Sequence, residues 1–563
     1  MKTNEKKQNG IVYTPKPLAD FLSEKLFKVL KKDKKSYRIL DPACGEGELL
    51  ESIARYAKAK GIIVELFGFD TDNRALLVAD NRLQKYGYKF QLNNSDFLEF
   101  CLNNIDFSVD GVIANPPYVR TQALGDEVSK KLARNFHLSG KIDLYQVFYA
   151  ALPSVLNENG GISVITSNKF LTNKTGGVLR KLLIENFYID FLVDLGDTKL
   201  FDAAVLPAVI VGKKDSKVRQ PIINFYKIYE SNDDKREEKV EKLNDIYSVI
   251  KFERTGYFNI ENQKYHATKG RINIPENFKD VWALATDEEY KWALNMKACF
   301  GSTISSFGKV RVGIKTTADN VFIRNTWETV EPHPDNELIH PLYSAKKSRR
   351  WFIDTINIEK LDKILYPMQA GNGRRKAEPI KLENYPKTKA YLEANYEQLS
   401  KRSYVIKAGR EWFEIWVPQD PKLWSQAKII FPDISEEPKF MIDLDGMYVD
   451  GNCYWITLNE GVPVDYLYLI VGVANSRAMQ RFHSIMFQNK LYSNKFRFIS
   501  QYVEKYPMPN LNRKESKNIV RIVKALLSCK LTQMEAEKQI ENEISRILDG
   551  DSDRHSTGQQ SLF

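Results

Sequence analysis

The chain has 563 residues, 43% of them hydrophobic and 12% aromatic, which is enough apolar material for two or three folded domains and excludes a disordered protein. A net charge of +11 suits a polyanionic partner, while the start, MKTNEKKQNG, has no apolar signal core and the longest apolar run, near 466–474, is far too short to span a bilayer. Cys44, Cys101, Cys299, Cys453 and Cys529 are scattered, with no CxxC pair and no His at ligand spacing, so neither a metal site nor a disulfide framework is expected.

Up to about Lys214, strands and helices alternate. Ile39-Leu40 closes a strand that runs into the Gly-rich turn Asp41-Pro42-Ala43-Cys44-Gly45-Glu46-Gly47, and 48–60 then reads as a helix with Leu49, Leu50, Ile53 and Ala54 on its apolar side. A strand over 62–69, a helix over 74–86 and a short strand over 90–92 follow. The apolar run Gly111-Val112-Ile113-Ala114 is a strand feeding Asn115-Pro116-Pro117-Tyr118. A helix over 144–156, a strand over 161–166, a helix over 178–186, a strand over 189–195 and an Ala/Val-rich stretch over 203–211 complete the series. This rhythm predicts a mostly parallel, doubly wound α/β sheet.

Beyond Lys213 the pattern breaks. Residues 213–242 are charge-rich with one strand-like piece over 222–228, and past Phe252 the rhythm does not resume. The text to Asn512 is irregular and rich in Trp and Tyr, with strands expected at 428–432 and 453–458, as in a separate mixed domain. Residues 512–548 carry one long amphipathic helical pattern, with Ile519, Ile522, Val523, Leu526 and Leu527 on a stripe, before a polar tail expected to be disordered. Three segments are therefore expected: 1–242, 243–512 and 513–563. Between Pro341 and Arg410, 16 Lys and Arg face 7 Asp and Glu, interleaved with Trp351, Phe352, Tyr385, Tyr391, Tyr396 and Tyr404. A solvated basic face is the plain explanation; a nucleic-acid surface fits the interleaved rings better.

The Asn-Pro-Pro-Tyr tetrapeptide suggests chemistry on an exocyclic amine. Such an amine is a poor nucleophile because its lone pair is delocalised into the ring. The Asn115 amide oxygen and the carbonyl of Pro116, held rigid by Pro117, can both accept from the NH2 and localise that lone pair. The Tyr118 ring offers a surface on which an extruded base can stack. Upstream, Asp70 ends the second strand, where an acid can accept both ribose hydroxyls of a nucleoside. Asp96-Phe97 follows the third strand, where a carboxylate can take adenine N6 hydrogens and a ring can cover the base. Each alone is more often a capping Asp or a core Phe; their order and spacing favour a cofactor site.

With these residues, the chain resembles the gamma class of N6-adenine DNA methyltransferases of restriction–modification systems, of the TaqI-like and BseCI-like kind. The resemblance spans the whole length in architecture and is motif-specific from about Gly10 to Val211. It implies a Rossmann-like S-adenosylmethionine-binding catalytic domain, then a mixed α/β target-recognition domain and a helical tail. It also implies that Tyr13, Thr14 and Pro15 help hold the methionine end of the cofactor, with Asp41, Ala43, Cys44, Gly45 and Gly47 forming the first motif. Asp70 would hold the ribose and Asp96-Phe97 the adenine. Asn115 and Pro117 would lie against the cofactor as well, within the catalytic group Asn115, Pro116, Pro117 and Tyr118. Asp143-Leu144-Tyr145 and Gly160–Ile165 resemble the next two motifs. In relatives an aromatic residue after the strand matching Ala208–Val211 packs the second face of the base; here Gly212 falls there, and Phe201 is an alternative source of that ring.

The partner implied is double-stranded DNA, with phosphate contacts expected from Lys346, Lys347, Arg349 and Arg350. No membrane and no obligatory protein partner are expected: a cytoplasmic, nucleoid-associated bacterial or archaeal monomer, with any cognate endonuclease acting separately. Enzymes that methylate a protein glutamine or an RNA guanine share the Asn-Pro-Pro-Tyr chemistry but are typically much shorter. Cytosine-N4 enzymes usually carry Ser or Asp in place of Asn115. A combined nuclease and methylase is suggested superficially by Pro432-Asp433 with Glu437-Pro438-Lys439. Too few residues separate the two acids to set them on paired strands around Mg2+.

Overall fold

The structure is a computed structural model. It describes residues 14–32, 34–103, 106–119, 125–140, 142–198, 206–215, 217, 220–231, 240–243, 245–260, 262–352, 361–373, 375–487 and 495–550. The chain divides into two compact units, Met1–Tyr290 with Met486–Gln488, and Lys291–Ile485 with Asn489–Phe563.

The first unit is built on an eleven-stranded sheet. Its strands are β1 (Ser36–Asp41), β2 (Ile63–Asp70), β3 (Lys89–Asn94), β4 (Val109–Ala114), β5 (Leu156–Ser167), β6 (Phe187–Asp194), β7 (Pro207–Lys214), β8 (Ile222–Glu230), β9 (Glu241–Leu243), β10 (Gly256–Ile260) and β11 (Gln263–Asn273). Their spatial order is 3-2-1-4-5-7-6-8-11-10-9. β1 pairs in parallel with β2 on one side and β4 on the other, so the strand order reverses there. At such a switch point two crossovers leave in opposite directions and open a crevice at the carboxyl ends of the strands.

The helices are α1 (Lys16–Val29), α2 (Glu48–Lys60), α3 (Asn73–Gln84), α4 (Phe97–Asn103), α5 (Asp126–Asn135), α6 (Leu144–Val155) and α7 (Gly177–Asn186); α2, α3, α6 and α7 fall where the hydrophobic pattern predicts helices, whereas it predicts none at α1, α4 and α5. Pro15 and Pro17 start α1, where missing N–H groups cost nothing, and Leu18, Ala19, Leu22 and Leu26 are wholly buried on one side of the sheet. On the other side Val147, Tyr149 and Leu152 of α6 pack with Val112 and Val164. All six residues of β4 are buried, as expected of a central strand covered on both faces.

The first unit does not end at 242. β11 pairs antiparallel with β8 from Tyr265 opposite Glu230 to Asn273 opposite Ile222. Antiparallel hairpins need no crossover helix, so the βα rhythm stops while the sheet continues.

In the second unit a five-stranded sheet has the order Gly308–Val312, Cys453–Leu458, Lys428–Pro432, Met441–Asp443 and Trp351–Phe352. Trp327, Trp424, Trp455 and Tyr391 form much of its core; of the rings counted as a potential stacking surface, Trp351 and Tyr391 are interior, while Tyr396 and Tyr404 are exposed. Lys428 and Asp443 form a fully buried ion pair, and burial pulls the Lys428 pKa down. The helical pattern expected to run unbroken over 512–548 is two helices, Lys514–Leu527 and Gln533–Gly550. The second is started by Thr532 and Glu535, each accepting from the other's backbone N–H. Both belong to this unit and not to a tail of their own. Gly472, in the helix Asp465–Ala474, lets that helix approach closely: a Cβ there would lie 2.6 Å from Ile519 Cγ2. Residues beyond 550, expected as a disordered tail, lie outside the described residues.

Candidate active site

The carboxyl ends of β1, β2, β3 and β4 carry Asp41, Asp70, the Ser95–Asp96 turn and Asn115 to one edge of the sheet. Thirty-two residues line the cleft there, of about 1030 Å³, including Thr14, Asp41, Gly45, Asp70, Asp96 and Asn115. Its size is at the upper end for a small-molecule site.

The turn after β1 is shaped by backbone bonds: Cys44 N donates to Phe69 O and Gly47 N to Cys44 O, both at 2.8 Å. Gly45 and Gly47 have φ of +51° and +80°, the left-handed region where glycine is unstrained. Gly47 also packs on α3, since a Cβ there would meet Ala79 Cβ at 2.8 Å. Asp70 fastens the turn by accepting from Gly45 N and from Asp72 N, each at 2.8 Å. Asp41 is 1% exposed and accepts from Ala43 N at 3.2 Å. Burial, with the charge of Asp70 adding to it, pushes the Asp41 pKa up to about 8. Burial likewise raises the Cys44 thiol, which suits packing and not nucleophilic attack.

Asp96 is exposed in the cleft and caps α4, accepting from Leu98 N at 2.7 Å through Oδ1. Among the described residues Oδ2 has no hydrogen-bond partner, so the capping and the ligand-binding readings are compatible. Phe97 is buried, edge-on to Phe69 at 5.5 Å and stacked with Phe148 at 6.0 Å. It is a core residue that also forms a wall of the cleft.

Asn115 follows the buried β4, with Pro116 buried and Pro117 half-buried beside it. Its Nδ2 donates to Thr14 Oγ1 at 3.1 Å, and its Oδ1 accepts from the Tyr118 hydroxyl at 2.8 Å. The Tyr118 ring packs against the cores on both sides of the sheet, 6.4 Å from the Tyr145 ring. Burial drives the Tyr118 pKa upward, so its hydroxyl remains a donor. The following segment is tied to α6 by Leu144 N donating to Val119 O at 2.8 Å, and Gln146 Oε1 accepts from Asp143 N at 3.0 Å. Tyr13 lies outside the described residues, as does Phe201. Gly212 is not near Asn115. It pairs with Ile162 and Ile189 inside β7, which runs antiparallel to β5, so its carboxyl end points to the opposite edge.

Two features escaped sequence reasoning. The Tyr118 hydroxyl has its own bond to Asn115, which no local pattern announces. α5 lines the cleft through Val128 and Leu132, with Phe136 beyond its end; their spacing of four is a helical stripe that could have been read.

In the second unit the basic block divides. Lys346, Lys347 and Arg349 are exposed. Arg350 instead pairs with Glu537 at 3.0 Å and Glu437 at 3.6 Å and donates to Asn475 O. Trp351 is buried and donates from Nε1 to Glu537 Oε1 at 3.1 Å. The guanidinium of Arg350, expected on DNA phosphates, is thus committed to interior contacts. Asp433, half of the nuclease-like pattern, is paired with Arg497, whose Nε lies 3.0 Å from Oδ1. No described helix is long and apolar enough to cross a membrane.

Two family matches agree with this division of the chain: an Eco57I restriction-modification methylase over residues 65–201 and a TaqI-like C-terminal specificity domain over residues 379–508. The chain is 42% identical over 564 aligned residues to the type II methyltransferase M.BanIII of Aneurinibacillus aneurinilyticus, with 96% of each chain covered. It is 23% identical to the type II methyltransferase M.BstVI of Geobacillus stearothermophilus, with 90% of each covered. Among solved structures, the type IIL restriction-modification enzyme MmeI in complex with DNA shares the fold at a TM-score of 0.62 and 16% identity, covering 100% of this chain and 78% of that one.

Proposed function

Because this chain belongs to the type II DNA methyltransferases of restriction–modification systems, we propose that it methylates N6 of an adenine extruded from double-stranded DNA. The observation that carries the choice of atom is Asn115, which lines a cleft also bounded by Asp41, Asp70 and Asp96. The cofactor is S-adenosylmethionine, which supplies the methyl group on a cationic sulfonium centre.

The residues present fit that cofactor. Asp70, at the end of β2, would accept from the ribose hydroxyls, and Oδ2 of Asp96, without a hydrogen-bond partner among the described residues, from the adenine amine. The Gly45–Gly47 turn would bring backbone close to the ligand, and Thr14, Asp41, Ala43 and Cys44, which line the cleft, would hold its methionine end, while Pro15 is not among the lining residues. At the reacting end, Asn115 Oδ1 and the Pro116 carbonyl accept from the base amine and draw its lone pair out of conjugation. The amine then attacks directly, with no covalent enzyme intermediate and no nucleophilic thiol. The Tyr118 ring stacks on the extruded base. The second unit selects the site, with the exposed Lys346, Lys347 and Arg349 on phosphates. A monomer acting alongside a separate endonuclease completes the reading.

The test is to incubate purified protein with labelled S-adenosylmethionine and unmodified bacterial DNA, then identify the labelled nucleoside by mass spectrometry. N6-methyldeoxyadenosine is expected. N4-methyldeoxycytidine, or label confined to RNA or protein, would overturn the proposal.

A further inference from the structure

Within the second unit, the stretch from Tyr396 to Arg410 carries two short helices, Tyr396–Ser400 and Ser403–Lys407. It holds four cations, Lys401, Arg402, Lys407 and Arg410, against one acid, Glu397. Tyr396, Tyr404 and Ile406 are 52%, 40% and 45% exposed, whereas Trp351 and Tyr391, rings of the same basic region, are in the core. Large apolar side chains exposed together mark a contact surface more often than single ones do.

The surface is rigidly built. Arg402, 6% exposed, donates from Nε to Leu399 O at 3.2 Å, from Nη1 to Thr316 O at 2.9 Å and from Nη2 to Trp412 O at 2.6 Å. One guanidinium thus ties three chain segments together, and among the described residues no carboxylate pairs with it. Tyr404 stands edge-on to Trp416 with ring centroids 5.0 Å apart, and the Arg410 guanidinium lies over the same indole at 4.7 Å. Arg410 also donates to Trp416 O at 2.6 Å. Lys407 is exposed, forms no ion pair among the described residues, and lies three residues beyond Tyr404 on one helix, so ring and ammonium share a side. An exposed ring beside cations matches a surface on which apolar carbon and anionic oxygen alternate. The backbone of DNA has that alternation, deoxyribose carbons between phosphates.

We propose that the surface centred on Tyr404 and Lys407 is a further DNA-contacting surface of the second unit, additional to Lys346, Lys347 and Arg349. The Tyr404 ring packs on deoxyribose and the Lys407 ammonium meets a phosphate, with Arg402, Arg410 and Trp416 holding both in place. Contacts to sugar and phosphate carry no sequence information, so this surface grips the duplex without choosing the site. The inference rests on the methyltransferase reading above.

The test is salt-titrated binding of the full chain, with S-adenosylhomocysteine present, to a duplex that it methylates and to one that it does not. Lys407→Ala should flatten the log–log salt dependence by roughly one unit on both duplexes, and Lys407→Glu should weaken both further. Tyr404→Ala should lower affinity for both by roughly 5- to 10-fold, the scale of uncovering part of a ring, with the slope unchanged; Tyr404→Phe should stay close to wild type. In turnover, the deficit of Lys407→Ala should appear as a raised KM for DNA with kcat retained. The exposed Lys407 keeps the test decisive if Tyr404→Ala proves to melt early. Unchanged affinity and slope in Lys407→Glu would overturn the proposal. A loss confined to the methylated duplex would overturn the backbone contact and assign base reading instead. Self-association that Tyr404→Ala abolishes while duplex binding stays intact would overturn it in favour of a second copy of the chain. Wild-type protein that binds S-adenosylhomocysteine but neither binds nor labels DNA would overturn the underlying reading.

Discussion

The Tyr118 hydroxyl donates to Asn115 Oδ1 at 2.8 Å, so the oxygen proposed to receive a base amine already carries a hydrogen bond from within its own tetrapeptide. An amide oxygen has two lone pairs, and the proposed contact to the amine uses the second. Removing the Asn115 amide should abolish turnover while cofactor and DNA still bind. A lost transition-state bond of this kind costs on the order of 10²–10³ in rate. Tyr118→Phe should keep substantial activity, because the ring does the stacking; Tyr118→Ala should lose far more. Equal inactivity of the two would show that the hydroxyl bond is needed for transfer.

Asp70 accepts from Gly45 N and Asp72 N and is the proposed ribose acceptor. Asp70→Ala therefore removes both a ligand contact and the fastening of the Gly turn. Calorimetry with S-adenosylhomocysteine should show affinity weakened by roughly 10- to 100-fold, the range for hydrogen bonds to a charged group. Wild-type affinity in that variant would sink the assignment.

Asp41 should make stability fall as pH rises. Burial, reinforced by the charge of Asp70, raises its folded pKa from 3.8 to about 8, so between these values the folded protein holds a proton that the unfolded chain has released. Its contribution is greatest at the acid end and is lost on the way up to about pH 8. Melting temperatures of wild type and Asp41→Asn, without cofactor, should be nearest at pH 5 and diverge toward pH 8, with wild type the less stable. A gap that narrows instead would contradict the assigned direction. Binding a cation beside Asp41 favours its ionised form, so cofactor binding near pH 7 should release a proton.

The two arginines of the basic block should behave differently. Replacing Lys346, Lys347 or Arg349 by Ala should weaken binding to all duplexes alike and flatten the log–log salt dependence by roughly one unit per charge. Arg350→Ala should leave that slope nearly unchanged and lower stability, by about 1–3 kcal/mol, because Glu537 and Glu437 lose their partner in a partly buried setting. Denaturation and salt-titrated binding on the same variants separate the two effects.

The boundary of the first unit predicts fragment behaviour. A 1–290 fragment should fold and bind S-adenosylhomocysteine without methylating a defined site. A 1–242 fragment should aggregate, because removing β11 exposes the long edge of β8 to intermolecular pairing. A soluble 1–242 fragment that methylates the same site as the full chain would contradict both the boundary and the placing of recognition in the second unit.

The sequence alone determined the succession of strands up to Asn115 and the helices 48–60 and 74–86 between them, and with it the edge on which Asp41, Asp70, Asp96 and Asn115 meet, though not the helices Lys16–Val29, Phe97–Asn103 and Asp126–Asn135. A parallel doubly wound sheet sends every strand's carboxyl end to one side, so motifs at strand ends share an edge without any knowledge of packing. It could not show that β7 runs backward and carries Gly212 to the far edge, nor that hairpins extend the sheet past 242, because antiparallel pairing leaves no helix to mark it. Nor could it separate Arg349 from Arg350, adjacent residues of like charge, when Glu537 lies 187 positions beyond one of them. Thr14 and Asn115 are likewise joined only when α1 and β4 pack. Such contacts depend on direction and distance in three dimensions, which local pattern does not encode, and only the tertiary structure decided them.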